Sequence, residues 1–305
     1  MIPDFLKDKR LVLFGAGRVA LRFFSIFPEL NVIAFADNDS KKQGTLVGHV
    51  PIIAPENIAS LDYDLVMIST GWLDSISSQL RDLGIPAERI ILPPKNLLAV
   101  NGGVKPFSDA VTKALAVEVM SGVSRFSAAH EIPIMLDFGT LLGAVRDGDL
   151  IAWDDDIDLS INDVDFPLIV EHLDELRSFF PDREGLVVDI SVIRSEGVVT
   201  GVLTTFKSAP DSTPIVPFEV GFVRRVFEAG KSITKSAGPE FIAPEQHFRA
   251  LDRMQFLGAQ FYTPHDVQGY LTFVYGDWQT PKQNTTLAEY PTQEPEYREI
   301  SISKY

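Results

Sequence analysis

The sequence predicts two domains of different class, an α/β domain at the N-terminus and an α+β domain after it. Three observations carry this. The 305 residues are about twice the ~150 of a typical domain, enough for two separate cores. Up to about residue 92, short apolar runs alternate with helical stretches, the pattern of a parallel sheet with helices on its faces. From about Phe107 that alternation ends, and a long helix leads into a mixed succession of strands and helices.

In the first domain, Arg10-Leu11-Val12-Leu13-Phe14 reads as a buried strand, followed by a glycine turn and a helix to about Phe27. Residues 31–36 and 64–69 are further strands; a helix then runs to Leu83, and a fourth strand occupies residues 89–92. The stretch from Leu92-Pro93-Pro94-Lys95 to Asn101-Gly102-Gly103 is turn-rich, as a linker is. The domains are therefore expected at 1–95 and 108–305, with the linker at 96–107. In the second domain the pattern predicts a helix over 108–130, a strand over 132–136 and a short helix over 140–145. An aspartate-bearing strand, a helical stretch over 166–179 and strands over 186–192, 198–206 and 215–223 follow. The Pro-, Thr- and Glu-rich tail from Gln279 reads as irregular.

Composition excludes several function classes. The chain has 27 Lys+Arg against 42 Asp+Glu, a formal charge of −15, which argues against binding nucleic acid or an anionic membrane by charge alone. It contains no cysteine, so it has no disulfide framework, thiolate nucleophile or Cys-ligated metal. Met1-Ile2-Pro3-Asp4 lacks the features of a signal peptide. No apolar run approaches the ~20 residues needed to span a bilayer. A cytoplasmic protein without a transmembrane segment is expected.

Gly15-x-Gly17-x-x-Ala20, between a strand and a helix, has the context of a nucleotide-binding turn. Asp37, at the end of the second strand, is placed to accept from a ribose hydroxyl. Three readings are open: nicotinamide or flavin redox chemistry, another nucleotide or sugar nucleotide, and a Rossmann-like module that keeps the turn for packing alone. With Asp37-Asn38-Asp39, Gly44 and Gly48-His49-Val50-Pro51-Ile52, the first 95 residues resemble the small Rossmann-like domain that precedes some sugar acyltransferases and other glycan-tailoring enzymes.

The second motif is Trp153-Asp154-Asp155-Asp156-Ile157-Asp158. Side chains alternate along a strand, so Asp154, Asp156 and Asp158 are expected on one face and Ile157, Leu159 and Ile161 on the other. Asp155 points away and is left out of the set. A solvated turn rarely shows such alternation between apolar runs. Three hard oxygen donors at this spacing suit Mg²⁺ or Mn²⁺ and a phosphate-bearing substrate. Upstream, Gly139-Thr140 opens a helix and is expected to offer backbone N–H groups and a hydroxyl to an anion, with Arg146 adding a charged contact. Trp153 could stack on a base, although large aromatics are more often packed. His49, His130, His172, His247 and His265 share no ligand spacing and read as surface or capping residues.

Together, Gly139-Thr140-Leu141-Leu142-Gly143-Ala144-Val145-Arg146 and Ile151-Ala152-Trp153-Asp154-Asp155-Asp156-Ile157-Asp158 resemble the signature of the LicD family, phosphocholine and phospho-alditol transferases related to the fukutins. Phe256-Leu257-Gly258, Phe261-Tyr262-Thr263-Pro264 and Leu271-x-x-x-Tyr275-Gly276-Asp277-Trp278 extend the resemblance over roughly residues 108–285. Ala152 departs from the proline common in the family. The resemblance implies a nucleotidyltransferase fold and transfer of phosphocholine, phosphoethanolamine, glycerol phosphate or ribitol phosphate. The donor would be CDP-linked and the acceptor a hydroxyl of a cell-surface glycan or its precursor. It implies metal on Asp154, Asp156 and Asp158, with Asp156 and Asp158 in the reaction. Donor phosphates would lie on Gly139, Thr140 and Arg146, and an acidic residue would come from a later strand. Glu219 is the first candidate for the last role and Asp189 its competitor. A nucleotidyltransferase acting on a small molecule, and a regulatory nucleotide-binding protein of polysaccharide synthesis, remain alternatives. Head group, acceptor and oligomeric state are not legible.

Overall fold

The computed structural model describes residues 4–70, 72–92, 104–235, 240–283, 285–293 and 300–305. The chain divides into two compact units, Met1–Gly103 with Asn284–Ala288, and Val104–Gln283 with Glu289–Tyr305. Most of the expected linker, 96–103, lies outside the described residues. Its last residues belong to the second unit, where Pro106–Ser108 form a 3₁₀ turn with Pro106 and Phe107 buried.

The first unit contains β1 (Arg10–Phe14), α1 (Arg18–Ile26), β2 (Asn31–Ala36), β3 (Leu46–Val47), β4 (Val50–Ile53), β5 (Leu65–Ile68), α2 (Leu73–Asp82) and β6 (Ile90–Ile91). Sheet order is β3-β4-β2-β1-β5-β6, all parallel except β3 against β4. With β3 set aside, the parallel strands run in the order of a doubly wound Rossmann sheet. Both faces are covered. Leu11 and Leu13 of β1 join the core that includes Phe23 and Phe27, whereas Val12 and Phe14 join the one that includes Ile76 and Leu80. This explains why β1 reads as a continuous apolar run. The hairpin β3–β4 was not anticipated; Gly48 at φ +61° lets its two-residue turn form.

The second unit begins with α3 (Ala110–Ala129), β7 (Met135–Leu136), α4 (Phe138–Arg146), β8 (Asp156–Asn162), α5 (Phe166–Glu171) and α6 (Leu173–Leu176). Three long strands follow, β9 (Leu186–Ser195), β10 (Val198–Ser208) and β11 (Phe218–Glu228). Then come β12 (Lys231–Lys235), β13 (Glu240–Pro244), α7 (Gln246–Arg249), β14 (Leu251–Phe256), β15 (Ala259–Pro264), α8 (Val267–Tyr275), β16 (Thr292–Gln293) and β17 (Ile300–Lys304). The main sheet runs β14-β15-β7-β8-β11-β10-β9-β17. At its centre β8 is parallel to β11 and antiparallel to β7. Among the described residues no helix is long and apolar enough to cross a membrane.

Several boundaries differ from expectation. α3 starts at Ala110 because the Asp109 carboxylate accepts the Thr112 N–H at 2.8 Å. The helical stretch over 166–179 breaks at His172 into α5 and α6. The tail is not wholly irregular: Ile300-Ser301-Ile302-Ser303 has strand periodicity and pairs antiparallel with β9. The aspartate-bearing strand begins only at Asp156, after a turn closed by Asp154 N–H to Ile151 O at 2.9 Å.

Candidate active site

The site is assembled where α4 begins beside β8. Asp137, fully buried, caps α4 by accepting the Phe138 N–H at 2.9 Å. The helix thus starts one residue before the expected Gly139-Thr140 pair, and the roles of that pair change. Gly139 donates its N–H to Asp158 Oδ2 at 3.3 Å. A Cβ on Gly139 would collide with the Asp154 carboxylate. Thr140 is buried, and its Oγ1 accepts the Asp158 N–H at 2.9 Å. Gly139 and Thr140 are therefore engaged with the aspartates. Arg146, at the far end of α4, is held by Asp147 at 2.7 Å and lies 5.7 Å over the Trp153 ring. That indole is half-buried against the core and donates Nε1–H to Lys282 O at 3.3 Å, the packed role.

The carboxylates gather differently from the strand argument. Oxygens of Asp154, Asp155 and Asp156 lie within 4.8 Å of one another. Asp155, excluded by alternation, belongs to this group because residues 154 and 155 precede β8 and obey no strand period. Asp158 shares the Asp156 face of β8, one pleat further on, and is engaged with Gly139. At 4.8 Å two carboxylates repel by about 3 kcal/mol at an effective dielectric of 20, so the group suits a hard cation. Oxygen donors alone match Mg²⁺ or Mn²⁺.

Glu219 sits beside them. Its Cα partner across the parallel β8–β11 ladder is Asp156, so the two side chains share a face on adjacent strands, ~4.8 Å apart. The next pair on that face is Asp158 with Gly221, and a Cβ built on Gly221 would meet only Ile157 O, at 4.0 Å. That leaves room next to Asp158. Asp189 lies on the same row two strands beyond Glu219, opposite Thr205. Lys207 at 2.8 Å and Lys304 at 3.1 Å neutralise it, and hydrogen bonds from both hold its carboxyl below the usual value. Geometry favours Glu219.

Sequence reasoning missed the support beneath the carboxylates. Arg225 of β11 is fully buried and donates Nη2–H to Asp137 Oδ2 at 2.6 Å and Nε–H to the same oxygen at 2.9 Å. Tyr270 of α8 donates its hydroxyl to Asp137 Oδ1 at 2.5 Å. Phe248 covers the guanidinium at 3.9 Å. Burial above all, with Asp137 adding, pushes the Tyr270 hydroxyl well above its ordinary value, so it stays a donor. Tyr275 of α8 is pushed up as well, by burial first, then by Tyr290 and Asp158. Asp137 as an N-cap was open to a sequence reading; Arg225 carries no local signal.

In the first unit, Gly15 at φ +101° and Gly17 at the α1 N-cap form the expected turn. Asp37, however, faces inward. Its Oδ2 accepts Ala16 N–H at 2.8 Å and Lys42 at 2.9 Å, and its Oδ1 accepts Asp39 N–H at 2.9 Å. Burial raises its carboxyl, but the donors from Asp39, Lys42 and Ala16 outweigh this and hold it below its ordinary value. Both oxygens accept bonds that close the turn, so the structure gives Asp37 a part in shaping the turn itself.

Residues 131–266 match the model of the family described as LicD/FKTN/FKRP, nucleotidyltransferase domain. The match spans 136 of the 305 residues, so this part of the chain is similar to a LicD-family domain. That similarity supports an enzyme with a phosphotransferase- or nucleotidyltransferase-like role in glycan modification. The match covers α4, the aspartate run, Glu219 and Arg225 and ends at Asp266, one residue before α8. Residues 7–91 match the domain described as C2185-like, N-terminal. No curated protein matches. Among solved structures, UDP-D-quinovosamine 4-dehydrogenase from Vibrio fischeri is 22% identical, over 28% of this chain and 78% of that one, with a TM-score of 0.24. Biliverdin reductase from Synechocystis is 11% identical, over 92% and 94%, with a TM-score of 0.26. UDP-N-acetylglucosamine 3-dehydrogenase from Acidithiobacillus ferrooxidans is 10% identical, over 89% and 87%, with a TM-score of 0.25.

Proposed function

We propose that the LicD-family domain transfers a substituted phosphate (phosphocholine, phosphoethanolamine, glycerol phosphate or ribitol phosphate) from a CDP-linked donor to a glycan hydroxyl. The observation that carries this reading is the pairing of Glu219 with Asp156 across β8 and β11, next to the oxygens of Asp154 and Asp155. Asp154, Asp155 and Asp156, with Asp158 adjoining, would hold Mg²⁺ or Mn²⁺, which when bound supplies positive charge against the donor diphosphate. Glu219 accepts the acceptor hydroxyl's proton. The acceptor oxygen bonds to the distal phosphorus, the bridging P–O bond breaks, and CMP leaves with the electron pair. Gly221 leaves space beside Asp158 for the reacting groups. The first unit, with Asp37 turned inward, acts as a packing or regulatory module in this reading.

The test is a thermal-shift screen of CDP-choline, CDP-ethanolamine, CDP-glycerol and CDP-ribitol with and without Mg²⁺, followed by product analysis with the donor that binds. One donor should stabilise the protein only with Mg²⁺ and release CMP. Glu219→Gln should lower CMP release by about 10²–10⁴-fold, the usual worth of a general base, while the donor-dependent shift persists. A nucleotidylated acceptor, with the donor's phospho-alcohol (phosphocholine from CDP-choline) released in place of CMP, would instead establish a nucleotidyltransferase.

A further inference from the structure

Outside the aspartate site, the fold brings His130 against His172 and Glu175, which lie more than 40 positions further along the chain. His130 ends α3, His172 is the break between α5 and α6, and Glu175 lies one turn on in α6. Because β7 is antiparallel to β8, the chain enters β7 from His130 at the C-terminal end of β8. The aspartates stand at its N-terminal end. We infer that His130, His172 and Glu175 form a second metal site, for a zinc-class divalent cation.

Geometry carries the inference. One atom from each of the three residues can be chosen so that all lie within 4.8 Å of one another. His172 Nδ1 is 3.1 Å from Glu175 Oε1, and His130 Nε2 is 3.5 Å from Glu175 Oε2. Ligands ~2.0–2.1 Å from a tetrahedral ion are separated by about 3.3 Å; the His172 spacing, a hydrogen bond to one Glu175 oxygen, and the His130 spacing to the other both lie near that value. The His130 and His172 rings face one another at 4.0 Å between centroids, tilted by 31°. Phe126, at 4.7 Å, and Phe179, at 6.0 Å, wall in the His130 ring.

The second observation is the state of His130. Its side chain is 11% exposed, and Nε2 is enclosed without a hydrogen-bond partner among the described residues. An enclosed ring nitrogen aimed at a carboxylate, yet too far for a hydrogen bond, is what a ligand set looks like. Two imidazoles and a carboxylate suit Zn²⁺, Co²⁺ or Ni²⁺, whereas the all-oxygen aspartate group suits Mg²⁺. His172 and Glu175 are partly exposed, so the fourth position opens to solvent. The ion would clip the end of α3 to the α5–α6 break.

The full-length chain, stripped with EDTA, is dialysed against ZnCl₂ in excess Mg²⁺, and bound zinc is measured with a chromogenic chelator as competitor. Wild type should retain about one Zn²⁺, and so should the Asp154→Asn/Asp156→Asn variant. His172→Gln and Glu175→Gln should each weaken zinc by about tenfold or more. Glu175 is largely exposed, so its variant keeps the test valid if His172→Gln misfolds. Absence of retained zinc overturns the inference. So does zinc whose retention follows the aspartates and ignores His172 and Glu175.

Discussion

At Gly139 the sequence and structure agree on the residue and differ on its reason. A glycine opening a helix reads as an anion site, but in the fold it is wedged between two carboxylates. Its N–H goes to Asp158, and the space of its missing Cβ is taken by Asp154. Local sequence cannot reveal this, because Asp154 and Asp158 approach only after the chain reverses through residues 147–153. Asp155 joins the group for a related reason: residues 154 and 155 precede β8, where strand alternation does not hold. The structure predicts the outcome of Gly139→Ala. The colliding atom is the end of a mobile side chain, so Asp154 swings aside and stability changes by less than about 1 kcal/mol. A displacement of ~1 Å in a positioned group can cost about 10²-fold in rate. CMP release should fall by that order while the melting temperature stays nearly unchanged; a large loss of stability with normal turnover would contradict the geometry.

Among the elements, β1, β2 and β5 of the first unit were legible because each is buried on both faces, whereas the exposed β3 was not. The pairing of β8 with β11 was not, since more than 60 positions separate Asp156 from Glu219 and no local pattern reports a parallel partner. That pairing sets the site, and a buried ion pair locks it. Arg225 leaves β11 to reach Asp137 at the head of α4, and Tyr270 brings in α8. Removing one member of such a pair strands a charge, at a cost of about 3–5 kcal/mol. Arg225→Met should cost that much in urea denaturation, and Asp137→Asn should cost less on the Arg225→Met background than alone. Additive losses in the double-mutant cycle would mean that the pair is not coupled. The same linkage predicts reduced activity in Arg225→Met even below its unfolding transition, because Asp137 positions the helix whose Gly139 and Thr140 hold Asp158.

For the whole molecule, two units and their classes were readable from length and from the change of pattern near Phe107. The net charge of −15 was readable too, but its meaning depends on the site. A diphosphate donor approaching this chain meets long-range repulsion, which extends ~30 Å at 0.01 M salt and ~10 Å at 0.1 M. The candidate site is itself acidic, and Arg146 is already engaged with Asp147. Donor affinity should therefore show opposite salt dependence in two conditions. Without divalent cation, CDP-choline binding should be weak and should tighten as NaCl rises from about 0.01 to 0.1 M, since screening relieves repulsion. With saturating Mg²⁺ the local sign reverses, and the same salt should loosen it. Calorimetric titration at both salt levels, with EDTA and with Mg²⁺, checks this. Tight binding at low salt in EDTA would show that a basic surface, not the aspartate group, receives the phosphates.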